Sequence, residues 1–329
     1  MDNIKSFCVK FVFSVKLLRN FIICGDILKI DLHMHSTFSD GTLTVPQIVD
    51  FAKKNDFEYI SVTDHNNFQS VGVLKETVGE LPHKIAGIEL STKHNGKKLH
   101  LLGYFNVNSD FSSEKFAPLT LLLDREAESK AVQVRQMIDN LSVDYDVNYD
   151  EFLSMLNGDG FINRVHIARY LTDKGITESV SNAFKTIINT KSKYFVKRRE
   201  MTFEEGLDAV VRCGGLPSIA HFVEYGFTDE EIDEIATITA KATDTVGVEL
   251  WHYKQNVDFR RQIIDRCKKY DNLNIIFTAG SDFHGANKVQ NIGEISPDEL
   301  TAVEQRFFDD QIKHTLEVFK NKNIIKDRD

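Results

Sequence analysis

KIDLHMHSTFSDG, Lys29 to Gly41, is an apolar strand interrupted by two histidines one residue apart. Successive side chains on a strand point to opposite faces, so His33 and His35 share one. A serine-threonine turn, Asp40 and Gly41 follow at once. A strand entering a core gains nothing from two imidazoles on one face unless something polar is built there.

Working outward, apolar runs alternate with helical patterns. TVPQIVDFAKKN opens a helix with Thr44 as N-cap and Pro46 in the first turn. YISVTDH is a second buried strand, and the segment around 71–78 is helical. KIAGIELSTKH and KKLHLLGYF flank Asn95-Gly96, a strong hairpin signal. From about 113 to 193 the chain turns charged, with Leu119, Leu122, Leu123, then Val132, Val134, Met137, Ile138 and Leu141 at helical spacing. Alternation then resumes: helix near 202–212, strand LPSIAH, helix near 229–240, strand TVGVELWH, helix near 257–270, strand NIIFTAGSDFH, and a last helix after Pro297. This is an α/β chain with largely parallel strands, in a barrel or a doubly wound sheet.

The polar residues fall at strand ends. Asp282 and His284 repeat the two-residue spacing of His33 and His35. His65 ends YISVTDH, His221 ends LPSIAH, Glu89 lies late in KIAGIEL, and His100 lies in the second hairpin arm. With Asp40, nine side chains collect where a parallel barrel places its active site, the C-terminal rim. Six of the 11 histidines occupy such positions, which chance placement does not explain. Imidazole and carboxylate donors suit Zn²⁺, Mn²⁺ or Fe²⁺, and nine exceed what one ion uses, so two or three divalent ions are expected.

These motifs, DLHMHSTFSDG, VTDHN, GIEL, LHLLGY, IAH and GSDFH, resemble the ordered motifs of the PHP (polymerase and histidinol phosphatase) family over most of Lys29–His284. The resemblance implies a distorted (β/α)7-type barrel spanning 29–112 and 194–329, with a helical insertion at 113–193. It implies one ion on His33, His35, Glu89 and Asp282, a second on Glu89, His100 and His221, and a third on Asp40, His65 and His284. Within the insertion, GFINRVHIARYLTDKG is similar to the branch that removes the 3′-phosphate of nucleoside 3′,5′-bisphosphates, some members of which shorten small RNA from the 5′ end. That implies substrate contacts from Arg164, His166 and Arg169. Phe222 stands where relatives carry proline, Asn66 where they often carry an acid, and the basic run Lys197-Arg198-Arg199 has no counterpart; it reads as a solvated face.

The expected chemistry is phosphomonoester hydrolysis. Bound metal lowers the pKa of water from 15.7 to about 7, and a bridging hydroxide held by Glu89 attacks phosphorus, with His221 or His284 as general acid. Histidinol-phosphate phosphatase is the runner-up, and a non-catalytic metal-stabilised module the alternative of another class. Trp251, at another strand end, has two readings, stacking on a base or packing in the core.

Composition narrows the partners. A formal charge of −9 argues against duplex DNA but allows a small phosphorylated substrate, a nucleotide or short RNA. Four cysteines, none in a C-x-x-C pair, indicate reduced thiols and a cytoplasmic protein. In residues 1–28, Lys10, Lys16 and Arg19 break every apolar run, so neither a signal core nor a transmembrane segment is expected there. That stretch reads as a mobile extension or an upstream start.

Overall fold

The computed structural model describes residues 28–156 and 162–326. The extension expected over 1–28 lies, apart from Leu28, outside them. One sheet of seven strands runs in chain order: β1 (Ile30–Met34), β2 (Tyr59–Val62), β3 (His83–His94), β4 (Lys97–Asn106), β5 (Leu216–Ile219), β6 (Thr245–Trp251) and β7 (Asn274–Ala279). Pairing is parallel except around β4, which runs antiparallel to both β3 and β5. The reversal follows from Asn95 and Gly96, whose φ values of 49° and 79° suit a tight hairpin turn.

The sheet curls into a distorted half-barrel with helices around it, and its ends meet at the C-terminal rim. There the Asp282 amide donates to the His33 carbonyl and the His35 amide to the Phe283 carbonyl, each at 2.8 Å. Gly280 makes this approach possible, because a Cβ built on it would lie 2.2 Å from the Cβ of His33. Both faces of β1 are buried, as parallel strands under helices require.

The outer helices start where the local chemistry says they should. α1 (Val45–Lys54) opens on a capping box between Thr44 and Gln47. α2 (Gln69–Glu76) follows β2. After β4 comes α3 (Ala117–Leu141), whose first turns place Leu119 and Leu122 in the barrel core. Its last turns instead place Val134, Met137, Ile138 and Leu141 in a separate core. That second core is completed by α4 (Tyr149–Ser154), α5 (Arg164–Asp173) and α6 (Val180–Thr186). α7 (Phe203–Arg212), opened by a Thr202–Glu205 capping box, returns the chain to β5. α8 (Asp229–Ala242), α9 (Val257–Cys267) and α10 (Ala302–Asn321) cover the remaining strands. Trp251 is buried edge-on against Phe308 at 5.0 Å, with the Arg260 guanidinium 4.5 Å from its ring. Its role is core packing, and the base-stacking reading is withdrawn. No helix among the described residues is long and apolar enough to cross a membrane.

Candidate metal centre

All nine strand-end side chains meet at the rim, around Glu89. Its carboxylate is fully buried, and Oε1 lies 2.7 Å from His100 Nδ1 and 2.9 Å from His221 Nε2. Oε2 lies 3.3 Å from His33 Nε2, 3.2 Å from His35 Nε2 and 3.0 Å from His65 Nδ1. Asp282 Oδ1 lies 3.5 Å from His33 Nε2 and 3.2 Å from His35 Nε2. Asp40, about half exposed, reaches His284 Nε2 at 3.2 Å, His35 Nδ1 at 3.7 Å and His65 Nε2 at 3.9 Å. Three overlapping groups place their donor atoms within 4.8 Å of one another: His33, His35, Glu89 and Asp282; His65, Glu89 and His100; and His35, Asp40, His65 and His284.

The local sequence explains the placement. Asp64 precedes His65 and therefore faces away from it; it accepts the Ser36 amide at 2.8 Å and the Ser36 and Ser39 hydroxyls at 2.7 and 2.5 Å. That fixes the turn carrying Asp40, and Gly41 lies so close to the His35 carbonyl, 2.2 Å from a built Cβ, that no side chain fits. Asp31 accepts the Ser281 amide and hydroxyl, the Gly293 amide and the His33 amide, lacing β1 to the loop after β7. Burial raises Asp31 to about 6 despite those donors. Asn66, at φ 48°, donates its amide to the Glu89 carbonyl and accepts the Ser91 amide. His221 is also left-handed, at φ 25°. Tyr225 Oη lies 3.1 Å from His221 Nδ1 and accepts the His100 amide at 2.9 Å, joining two of the strand-end histidines.

The electrostatics are those of a site built around positive charge. Burial alone would lower His33, but Glu249 and Glu89 on either side hold it well above its ordinary value. Burial likewise opposes, and Asp282 and Glu89 outweigh it, in raising His35 to about 9. Glu89 is held well below the usual carboxylate range, because His65, His100 and His33 overcome its desolvation. Burial lowers His65 to about 3, against the pull of Glu89. Nε2 of His33, His35 and His284, and Oε2 of Glu89, are buried without a hydrogen bond of proper geometry. Ring nitrogens and carboxylate oxygens that converge on common points without bonding one another are the donor arrangement of a cation site. Among the described residues no thiol takes part, since Cys213 and Cys267 lie outside the cluster.

Strand-end reasoning passed over several residues that serve the cluster. Glu249 lies 2.9 Å from His33 Nδ1. Lys288 donates to Asp282 Oδ2 at 2.6 Å, and His252, buried, turns Nε2 toward the same oxygen at 3.9 Å. Asp31 could have been found, since it shares the face of His33 two residues on. Lys288 could not, because it lies in an irregular loop.

Arg164 and His166 have partners within or beside the insertion. Arg164 lies over the rings of Phe184 and Phe195, at 5.7 and 5.3 Å; burial lowers its pKa, with Glu200 opposing. His166 Nδ1 accepts the Asn163 amide at the start of α5, and Arg169 is exposed. His166 is not a member of any of the three donor groups. The basic run is not a solvated face throughout. Arg198 pairs with buried Glu126 at 2.9 Å and Arg199 with Glu205 at 2.5 Å.

Compared with known proteins, the chain matches the PHP domain model over residues 31–250. A 5′-3′ exoribonuclease of Haemophilus influenzae is 27% identical over 257 residues, 78% of this chain and 90% of that protein. A 3′,5′-nucleoside bisphosphate phosphatase of Chromobacterium violaceum is 23% identical, covering 78% of this chain and 87% of its own length. Among solved structures, one assigned as a metal-dependent phosphoesterase, from Bifidobacterium adolescentis, superposes with a TM-score of 0.64 at 25% identity, over 88% of this chain and 96% of that one. The match to the family model ends before Asp282 and His284, which the fold nevertheless brings into the cluster.

Proposed function

Because the chain belongs to the PHP domain family, we propose that it is a metal-dependent phosphoesterase that removes the 3′-phosphate of nucleoside 3′,5′-bisphosphates. The observation that carries the hydrolase reading is Glu89, buried with both oxygens facing five histidines. His33, His35, Glu89 and Asp282 would hold one divalent ion, Glu89, His100 and His221 a second, and Asp40, His65 and His284 a third; Mn²⁺, Fe²⁺ and Zn²⁺ all suit these donors. When bound, such ions supply an acidic water and offset charge on phosphoryl oxygens.

The chain's own residues orient and exclude. Glu89 sits between the ligand groups, and the Asp31 and Asp64 networks keep the two ends of the half-barrel and the Asp40 turn in register. His221 has both ring nitrogens engaged, by Glu89 and Tyr225, and His284 turns Nδ1 to the Asp282 carbonyl at 2.7 Å. In this reading both serve as ligands, with the general-acid role of either kept as the alternative. Arg164, His166 and Arg169 would meet the second phosphate. The named activities of the two relatives, one on nucleoside bisphosphates and one on RNA 5′ ends, support a nucleotide over histidinol phosphate.

The test is inorganic phosphate release after manganese reconstitution. Adenosine 3′,5′-bisphosphate is expected to exceed histidinol phosphate in kcat/KM by at least about tenfold. The reverse preference would move the assignment to the histidinol-phosphate reading. Full metal content with no turnover on either, or on short 5′-phosphorylated RNA, would leave the non-catalytic module standing.

A further inference from the structure

One carboxylate outside the ligand set touches two of its members at once. Glu249, at the end of β6, is 1% exposed. Its Oε1 lies 2.9 Å from Nδ1 of His33, and its Oε2 accepts the backbone amide of His221 at 2.6 Å. Gln255 holds that stretch in place by donating to the carbonyls of Glu249 and Leu250, both at 2.8 Å.

Both contacts have consequences for cation binding. A neutral imidazole carries one N–H, and a carboxylate at Nδ1 keeps it there. The lone pair is then on Nε2, which lies 3.3 Å from Glu89 Oε2 and 3.5 Å from Asp282 Oδ1 and has no hydrogen bond. In the neutral form that a metal ligand takes, that lone pair faces two carboxylate oxygens, an arrangement a cation between them makes favourable. The second contact acts on the backbone. His221 sits at φ 25° and ψ 58°, a region that costs a non-glycine residue free energy, and the charge-assisted bond to its amide offsets that cost.

We propose that Glu249 is the positioning residue that couples the two metal positions: it sets the His33 tautomer for one ion and holds the strained His221 backbone for the other. The proposal rests on the metal-centre reading above. A carboxamide in its place can accept at one end only. Its amino end then meets either the His33 N–H or the His221 amide, donor against donor.

The experiment uses zinc alone as probe, with the full chain and the variants Glu249→Gln and Glu249→Asp. Zinc affinity is read by chelator competition, and the His33 ring by ¹⁵N spectra of the zinc-loaded, histidine-labelled protein. In Glu249→Gln, zinc binding is expected to weaken by about 10–100-fold, and the Nδ1–H signal of His33 to shift or exchange. If that variant does not fold, Glu249→Asp serves, since the shorter chain reaches only one of the two partners and the same losses are expected in smaller measure. Zinc affinity within about twofold of wild type, or weaker zinc binding with the His33 signal unmoved, overturns the assignment. Neither readout involves a phosphoester, so failure here is distinct from failure of the proposed activity.

Discussion

Replacing Gly280 by alanine places one methyl group at the seam of the half-barrel. Its Cβ would lie 2.2 Å from His33 Cβ, 2.8 Å from Glu249 Oε1 and 2.9 Å from the His33 amide nitrogen. Carbon atoms in contact prefer about 3.5–4.0 Å, so β1 and the loop after β7 must separate by roughly 1.5 Å. Little there can give way: the His33 side is tied by the Asp282 amide, and His33 itself by Glu249. We expect a loss of roughly 2–3 kcal/mol, the upper part of the overpacking range. In a chain of 329 residues that lowers Tm by about 3–5 °C. Manganese affinity should fall with it, because His33 is carried out of place. Gly72 is the control. It is exposed on α2 with nothing within 4 Å of a built Cβ, and alanine there should stabilise by about 0.5–1 kcal/mol. Urea unfolding and metal titration of both variants decide. If Gly280→Ala matches wild type in stability and metal affinity, the reasoning about closure at the rim is wrong.

Metal binding should release protons. His35 is raised to about 9 and His33 well above its ordinary value, burial being outweighed by the facing carboxylates. Below about pH 9 a cation must therefore displace a proton from His35, and affinity should rise with pH toward that value; calorimetry at pH 7 in buffers of different ionisation heat should show it, and buffer-independent heats would contradict it. Trp251→Phe should cost roughly 1–2 kcal/mol in urea unfolding and leave KM for a nucleotide unchanged, since the ring packs on Phe308; a raised KM would restore the base-stacking reading. Arg198→Ala should destabilise by about 2–3 kcal/mol by removing the 2.9 Å partner of buried Glu126, which keeps only the electrostatic pull of Lys130, with kcat/KM little altered in the folded fraction. A large selective loss of kcat/KM would place Arg198 at the substrate instead.

The cluster was legible where strand geometry made it so. His33 with His35, and Asp282 with His284, announce themselves by their two-residue spacing at strand ends, and the Asn95-Gly96 turn identifies the antiparallel β4. What supports the ligands was harder to see. Asp31, Asp64 and Glu249 are single carboxylates in apolar strands, and their meaning lies in partners distant in sequence: Ser281 for Asp31, Ser36 for Asp64, His33 for Glu249. A basic run such as Lys197-Arg198-Arg199 carries no mark of whether it faces water; Glu126, on α3, decides it for Arg198. Whether the strands formed a barrel or an open sheet also lay beyond the pattern of alternation. It depends on the close approach at Gly280 and the two amide bonds beside it, contacts between β1 and the far end of the chain.

The central claim is that the rim side chains hold divalent cations for hydrolysis of a phosphoester. Anomalous diffraction from crystals grown with manganese tests it most directly. The account predicts a peak bounded by His33, His35, Glu89 and Asp282, with further density on the His100 and Asp40 sides of Glu89. A manganese-saturated crystal with no anomalous peak among these side chains would contradict it.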